Sequence, residues 1–358
     1  MESELKTQYF LGANSRYGFR SLYGGFVGDE RPQRVWALKG GPGCGKSSFL
    51  RQVAGRMEEA GLEVEYILCS GDPDSLDGIR IPAAEAVLAD GTAPHVIEPP
   101  RPGAGGFYVD LGSCYIPEEL AGAGPELDAV KAAYQAEYAG AYRYLSAAGT
   151  LGDELRETVR GAEAGVIRRA EGIAAREFGR RAPKPGQTRL RFLDAVTCRG
   201  TMTLYDTALA ACARIWALDR DLGLSSPMVE TLRDRALEAG LDVVYCPDPL
   251  EPERGAHLLI PALSLAFLSV GSRAPLPVKP ERRLRLDAHL PRESARAVRT
   301  GSREIRRLMG ELTSAAVARL AEAKRLHDEL ERIYNPHVDF SAVYAMAEET
   351  SERILRGL

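Results

Sequence analysis

The chain has 358 residues, of which 45% are hydrophobic and 27% charged, and its formal net charge is −4 at pH 7. This composition is typical of a globular protein of about two domains, and its slight acidity argues against a nucleic-acid-binding protein. The longest apolar stretch, residues 258–270, contains Pro261 and is too short to cross a bilayer. Six cysteines without a C-x-x-C pair, and an N-terminus without a signal-peptide pattern, predict a cytoplasmic location.

The first predicted strand and helix enclose a glycine-rich loop. The apolar run at 34–38 precedes G-G-P-G-C-G-K-S at 40–47, and residues 47–60 have a helical pattern. This order is the context that the phosphate-binding pattern G-x-x-x-x-G-K-[ST] requires. The glycines let backbone N–H groups approach phosphate oxygens, and the helix N-terminus favours negative charge. The predicted nucleotide-binding residues are Gly41, Pro42, Gly43, Cys44, Gly45, Lys46, Ser47 and Ser48.

Within this loop, Lys46 is predicted to contact the β- and γ-phosphates and Ser47 to ligate Mg²⁺. Further along, the apolar strand at 86–89 ends in Asp90, as in a Walker B site, and this carboxylate would orient Mg²⁺ opposite Ser47. A turn-capping role for Asp90 is the alternative. Lys46 and Asp90 are therefore the candidate catalytic residues, and Ser47 and Asp90 the candidate metal ligands. The Cys44 thiol, beside a helix N-terminus, could have a lowered pKa, although a passive side chain is the preferred hypothesis.

Three aspartates follow the second predicted strand in C-S-G-D-P-D-S-L-D-G. Asp72, Asp74 and Asp77 are interpreted first as turn residues, because Asp-Pro recurs at Asp248-Pro249 in the second half of the chain. Asp74 and Asp77 keep the alternative role of positioning water or activating a hydroxyl group. His95 ends D-G-T-A-P-H and is expected to be a loop histidine with local hydrogen bonds unless its loop reaches the γ-phosphate.

The chain repeats itself. Its only two tryptophans lie in R-V-W-A-L and R-I-W-A-L, and residues 10–23 match residues 192–205 without a gap. Each copy then continues into sequence rich in Ala, Glu, Arg and Leu, at 118–178 and 292–355, which predicts a helical hairpin extension. The sequence therefore predicts an α/β fold of two tandem three-layer α/β/α units, a first copy at 1–184 and a second, degenerate copy at 185–358.

The second copy has D-R-D-L-G-L-S-S at 219–226 in place of the glycine-rich loop. Counting back from the shared serines places Leu224 at the position of Lys46, and Ser269 corresponds to Asp90. Asp219 and Asp221 would put negative charge where phosphates lie. Only the first copy is therefore predicted to bind a nucleotide. Arg220 could approach that nucleotide as a stimulating arginine.

Four stretches carry a resemblance that spans nearly the whole chain. They are K-G-G-P-G-C-G-K-S-S, C-S-G-D-P-D-S-L-D-G, D-G-T-A-P-H-V-I-E-P-P and H-D-E-L-E-R-I-Y-N-P-H-V-D-F at 327–340. By them the chain resembles the P-loop NTPase superfamily and, within it, a bacterial family of tandem P-loop ATPase-like proteins. The resemblance implies a nucleotide-binding α/β sandwich with ATP as the ligand. Both halves usually carry phosphate loops in that family, so residues 219–226 depart from its pattern.

We expect Mg²⁺-dependent ATP hydrolysis at the first copy, with the second copy a pseudo-domain. A small-molecule or nucleotide kinase, with its acceptor near Asp74, Asp77 and His95, is one alternative. A scaffold that senses a nucleotide without hydrolysing it is the other. A protein partner or a homo-oligomer is compatible with the sequence, no membrane association is expected, and the basic stretch at 176–191 is interpreted as a solvated linker rather than a nucleic-acid site.

Overall fold

The computed structural model describes residues 6–29, 34–271, 274–290 and 292–358. Its α/β fold contains two similar mixed sheets of six strands each. The strands of the first copy are β1 (Thr7–Phe10), β2 (Gly12–Ser15), β3 (Gly18–Ser21), β4 (Arg34–Lys39), β5 (Glu65–Leu68), β6 (Leu76–Ile81), β7 (Ala86–Asp90) and β8 (Gly106–Asp110). Its sheet has the order β1-β5-β6-β7-β4-β8, and β2 pairs with β3 in a separate hairpin.

The second copy repeats this topology. Its strands are β9 (Thr188–Leu190), β10 (Asp194–Thr197), β11 (Gly200–Thr203), β12 (Arg214–Asp219), β13 (Val243–Pro247), β14 (Gly255–Ile260), β15 (Leu265–Val270) and β16 (Arg282–Leu284). The sheet order is β9-β13-β14-β15-β12-β16, and β10 pairs with β11. Trp36 of β4 pairs with Leu88 as Trp216 of β12 pairs with Phe267, so the two copies share their strand register. The duplication inferred from the sequence is echoed by these two sheets.

The helices are α1 (Lys46–Glu59), α2 (Pro117–Leu120), α3 (Gly124–Val159), α4 (Glu163–Glu177), α5 (Tyr205–Ala211), α6 (Ser225–Glu238), α7 (Arg292–Tyr334) and α8 (Phe340–Leu355). In both copies the Ala- and Leu-rich extension folds as a long helix followed by a shorter one, as its helical spacing of apolar residues indicates. Asp339 caps α8 by accepting a hydrogen bond from the Ala342 N–H at 3.1 Å. None of the described helices is both long enough and apolar enough to span a membrane.

The prediction of a helical hairpin within each copy is wrong, because the long helices pair between copies. Helix α3 packs antiparallel along α7. Near the start of α3, Val130 clusters with Leu330, and in its middle Leu145 clusters with Ala316. Helix α3 has 36 residues, which makes it about 54 Å long at a rise of about 1.5 Å per residue. The pair therefore joins the two halves of the molecule.

The shorter helices are exchanged between the copies. Helix α8, from the end of the second copy, packs on α1 of the first, with Val343 and Ala347 in the same apolar cluster as Phe49. Helix α4, from the first copy, packs on α6 of the second, with Ala170 in the cluster that contains Leu232. Each sheet is thus covered on its outer face by a helix that the other copy supplies.

The two units are also not the separate three-layer sandwiches that the sequence predicted. In β4, Trp36 and Leu38 face the outer helices, whereas Val35 and Ala37 face inward because side chains alternate along a strand. The inward residues of both sheets join one apolar cluster, together with Phe26 in the π-helical turn Gly25–Asp29 and with α5. The copies therefore share a single interior between their sheets.

Candidate functional site

A glycine loop, residues 40–45, connects β4 to α1 at the carboxyl edge of the first sheet. Gly43 has a φ of 70° and Gly45 a φ of 87°. Both values lie in the left-handed region, which glycine adopts without the steric cost that a Cβ would add. Gly45 is the N-cap of α1, so the loop ends at the positive end of a 14-residue helix. The strand, loop and helix follow one another as the sequence analysis expected.

Lys46 and Asp90, predicted to act together, do meet at this loop. The Lys46 Nζ donates to the carbonyl oxygens of Gly40 at 2.7 Å and Gly41 at 2.8 Å. It also lies 3.7 Å from Asp90 Oδ2, with the two side chains 16% and 12% exposed. Parallel pairing of β4 with β7 sets this contact, because Leu38 is opposite Asp90 at the strand ends. An ammonium and a carboxylate are therefore held together beside the loop.

The environment of Asp90 leaves one of its oxygens facing the loop. Its Oδ1 accepts hydrogen bonds from the Thr92 backbone N–H at 2.8 Å and the Thr92 hydroxyl at 2.5 Å. Burial raises the pKa of the Asp90 carboxyl, the Lys46 ammonium opposes this rise, and the Asp77 carboxylate adds to it. Asp90 thus has the turn-capping contact with Thr92 that was the alternative role, but this contact uses only Oδ1. Its Oδ2 lies near Lys46.

Ser47 has a contact that both copies share. Its Oγ accepts a hydrogen bond from the Leu76 N–H at 3.0 Å, and in the second copy Ser226 accepts one from the Gly255 N–H at 3.1 Å. This hydroxyl therefore ties the helix start to the neighbouring strand in either copy. The Ser47 hydroxyl can still offer a lone pair, and it and Asp90 Oδ2 are both hard oxygen donors of the kind that Mg²⁺ prefers. The two residues fit a magnesium site.

Asp77 and His95 form a second pair of polar residues, which the sequence patterns do not bring together. Asp77 was interpreted as a turn residue, but it lies within β6 and is 7% exposed. Its Oδ2 is 3.3 Å from His95 Nε2 and accepts a hydrogen bond from the Tyr23 hydroxyl at 3.1 Å. The His95 ring also contacts the Phe19 and Tyr23 rings, with centroids 5.2 and 4.4 Å apart. The local loop role expected for His95 is therefore incomplete.

The other two aspartates of that segment do lie in a turn. Asp72 accepts hydrogen bonds from the Asp74 N–H at 3.2 Å and from the Ser75 hydroxyl at 2.8 Å. It also pairs with Lys324 of α7 at 3.4 Å. Asp74 is exposed and forms an ion pair with Arg199 of the second copy. Asp72 and Asp74 thus connect the copies, whereas Asp77 turns toward the loop.

The second copy covers the glycine loop. Tyr115 of the first copy donates its hydroxyl to the Pro42 carbonyl at 2.6 Å, and its ring lies tilted against Tyr334 of the second copy with ring centroids 5.2 Å apart. The Asn335 side-chain nitrogen donates to the Gly43 carbonyl at 2.8 Å. A Cβ at Gly45 would lie 3.2 Å from Val343, so that glycine also permits close packing of α8. Residues 334–343, named here the cover segment, belong to the other half of the chain, and no local pattern could have placed them at the loop.

The thiol of Cys44 does not have the lowered pKa that its position at a helix N-terminus could give. Cys44 is fully buried in the outer apolar cluster of the first sheet. Burial raises the pKa of this thiol, and the charge and backbone N–H of Lys46 only partly oppose the rise. Cys44 is therefore a packing side chain with a protonated thiol, as the preferred hypothesis held.

The equivalent loop of the second copy is closed by its own ion pairs. Arg220 contacts Asp194 at 2.7 Å and Asp248 at 2.6 Å, and Asp194 also lies 3.1 Å from His257. The idea that Arg220 reaches a nucleotide in the first copy is therefore wrong. Asp219 pairs with Arg283 at 3.0 Å.

The register of the helices corrects one equivalence drawn from the sequence. Helices α1 and α6 both have 14 residues and end in Glu followed by Ala. Lys46 therefore corresponds to Ser225, and Leu224 corresponds to Gly45. The pairing of Leu38 with Asp90 and of Leu218 with Ser269 supports the other equivalence, between Asp90 and Ser269.

Comparison of the chain with protein-family models, with curated proteins and with solved structures found no match.

Proposed function

We propose that the first copy binds Mg-ATP at the glycine loop and hydrolyses it, and that the second copy binds no nucleotide. The observation that carries this proposal is the meeting of Lys46 and Asp90 at 3.7 Å beside a glycine loop that ends at a helix N-terminus. A helix N-terminus with free backbone N–H groups favours a phosphate, and a lysine and a carboxylate beside it supply the charges that phosphoryl transfer needs.

Each residue has a distinct role in this proposal. Backbone N–H groups of Gly41, Gly43 and Gly45 approach the phosphate oxygens. Lys46 exchanges its contacts with the Gly40 and Gly41 carbonyls for the β- and γ-phosphates, which are stronger, charged acceptors. Pro42, Cys44 and Ser48 shape the loop and the first turn of α1.

Ser47 and Asp90 would hold Mg²⁺, whose chemistry is to neutralise charge that develops on the phosphate oxygens. Asp90 keeps its orientation through the two hydrogen bonds that its Oδ1 accepts from Thr92. Ser47 is positioned by the Leu76 N–H. Both ligands are thus fixed before any metal arrives, which lowers the cost of ordering them.

The experiment that tests the site is a titration of Mg-ATP and Mg-GTP into the wild type and Lys46→Ala, following binding and phosphate release. Loss of charged hydrogen bonds to phosphate should weaken ATP binding by about 10- to 100-fold, since such bonds contribute about 1.5–3 kcal/mol. Ser225→Ala is the matched control, because Ser225 occupies the same helix position in the second copy. Unchanged ATP affinity in Lys46→Ala would refute the site.

A nucleotide-sensing scaffold is the second candidate, and the cover segment favours it. Asn335 bonds to the Gly43 carbonyl, and Tyr115, which bonds to the Pro42 carbonyl, contacts Tyr334 at the end of α7. A nucleotide that reshapes the loop would therefore change contacts with α7 and α8 of the other copy. The two candidates differ in turnover. A wild-type protein that binds Mg-ATP but releases no phosphate over many hours would favour the scaffold and exclude the ATPase.

A further inference from the structure

His95 has one ring nitrogen beside a carboxylate and one buried ring nitrogen without a hydrogen-bond partner. Its Nε2 lies 3.3 Å from Asp77 Oδ2, so the carboxylate holds the tautomer with the proton on Nε2. Its Nδ1 is buried and forms no hydrogen bond with any described group. Only 8% of the side chain is exposed. A buried polar atom without a partner is costly, and in native proteins it is rare enough to require an explanation.

The position of Asp77 brings this pair to the nucleotide site. Strand β6 runs antiparallel to β7, and Gly78 is paired with Ala89. Continuing the register by one residue places Asp77 opposite Asp90, at the edge where the glycine loop lies. The His95–Asp77 contact at 3.3 Å and the Lys46–Asp90 contact at 3.7 Å therefore lie on neighbouring strand ends.

The second copy lacks an equivalent of Asp77, as it lacks equivalents of Lys46 and Asp90. The register of β14 places Ala256 at the position of Asp77, since His257 pairs with Leu268 as Gly78 pairs with Ala89. In the second copy, Ser225 occupies the position of Lys46, and Ser269 occupies the position of Asp90. Ser226, in contrast, keeps the scaffold contact of Ser47. Asp77 is thus absent from the second copy, as Lys46 and Asp90 are, whereas the serine that ties the helix to the neighbouring strand is present in both copies.

We propose that His95, oriented by Asp77, is the general base that accepts the proton of the water attacking the γ-phosphate of ATP. This inference rests on the proposed nucleotide site. The water oxygen forms a bond to the γ-phosphorus, and the bond from that phosphorus to the bridging oxygen breaks, so that its electron pair leaves with ADP. The water proton is transferred to Nδ1, which gives an imidazolium. Its Nε2–H continues to donate a hydrogen bond to the Asp77 carboxylate.

The charged groups around His95 determine the pH at which it works. Burial alone would lower the pKa of the imidazole, but the hydrogen bond and charge of Asp77 outweigh burial, Asp90 adds to the rise, and Lys46 opposes it. The pKa of His95 therefore lies above its ordinary value. Tyr23, which donates to the same Asp77 oxygen, remains uncharged in this range because burial raises its pKa well above 10.0. Turnover should thus fall as pH falls through the raised pKa, where the base becomes protonated.

The test measures ATP affinity and kcat from about pH 5 to about pH 9 for the wild type, His95→Gln and Asp77→Asn. In His95→Gln, kcat should fall by about 10²- to 10⁴-fold with an unchanged dissociation constant for Mg-ATP, and the acidic limb of the pH profile should disappear. In Asp77→Asn that limb should move to lower pH, because the imidazolium loses its carboxylate partner.

His257→Gln is the matched control. His257 is also buried against a carboxylate, but it belongs to the second copy, so its loss should affect unfolding and leave kcat and the acidic limb unchanged. A His95→Gln variant that keeps either the wild-type kcat or the wild-type acidic limb would overturn the assignment of His95 and leave the nucleotide site standing. A wild-type chain that binds no Mg-ATP would overturn both proposals, and it is distinguished by the binding measurement alone.

Discussion

The glycine loop of the first copy and residues 220–224 of the second both connect a strand to a helix. They differ in where the neighbouring charged side chains point. Both follow a tryptophan-containing strand, and both precede a helix whose serine accepts a strand N–H. In the first copy, Lys46 and Asp90 face the loop. In the second, Arg220 replaces a glycine and is bound by Asp194 and Asp248. The same strand-loop-helix frame is therefore compatible with charged side chains that face the loop and with charged side chains that pair with one another.

The second copy also packs against the glycine-loop region of the first. Its extension supplies the cover segment and α8, which contact the glycine loop and α1 of the first copy. Its sheet fills the shared interior. The second copy thus contributes packing around the glycine loop of the first copy.

The largest effect should come from breaking the ion-pair network of the second copy. Asp194→Asn leaves Arg220 with one fewer carboxylate in a site where Asp194 is fully buried. Removing one member of a buried ion pair costs about 3–5 kcal/mol, which urea unfolding should report as a lower midpoint. Asp74→Asn removes an exposed ion pair with Arg199 and should cost less than about 1 kcal/mol. Equal losses in the two variants would contradict the network.

The same carboxylate gives a pH dependence. Burial tends to raise the pKa of Asp194, but His257 and Arg220 hold it well below its usual range. A depressed pKa in the folded state stabilises the protein above the unfolded-state value of about 3.9, and this stability is lost as pH falls below it. The urea midpoint of unfolding should therefore decrease as the pH is lowered from about 4 to about 2 in the wild type. The decrease should be smaller in Asp194→Asn. Parallel curves for the two proteins would refute this origin.

A smaller effect should come from loosening the cover on the glycine loop. Tyr115→Phe removes the hydrogen bond to the Pro42 carbonyl and keeps the ring that contacts Tyr334. The expected loss is about 0.5–1.5 kcal/mol in the free energy of unfolding. Tyr108→Phe removes an exposed hydroxyl that bonds to Glu98 and should be within about 0.5 kcal/mol of wild type. A loss in Tyr115→Phe no larger than that in Tyr108→Phe would show that the hydrogen bond to Pro42 contributes no stability.

The smallest effect should follow an attempt to restore the second site. Ser225→Lys places a lysine at the helix position of Lys46, but Asp219 and Asp221 remain at the loop and Arg220 still fills it. Mg-ATP titration should show the stoichiometry of the wild type. Binding of a second equivalent would show that one lysine suffices, and that the internal ion pairs do not close the loop.

The strands and the glycine loop could be predicted because they depend on residues close together in the sequence. The apolar runs around Trp36 and Trp216 predict the strands, and the glycines before Lys46 predict the loop. The equivalence of Leu224 with Lys46 failed for a local reason too. It was counted from the serines, whereas the helix register, with Ser225 at the Lys46 position, depends on where the chain turns into α6.

The sequence by itself determined the duplication, the α/β character and the position of the glycine loop, since each depends on neighbours within a few residues. The tertiary structure decided which sheet each helix covers and which side chains meet at the loop. An amphipathic helix pattern fixes the face that is buried but not the sheet that buries it, and the two copies offer similar apolar faces. Asp77 and His95 became a pair only because β6 returns antiparallel beside β7, bringing Asp77 to the edge where the loop after β7 folds back.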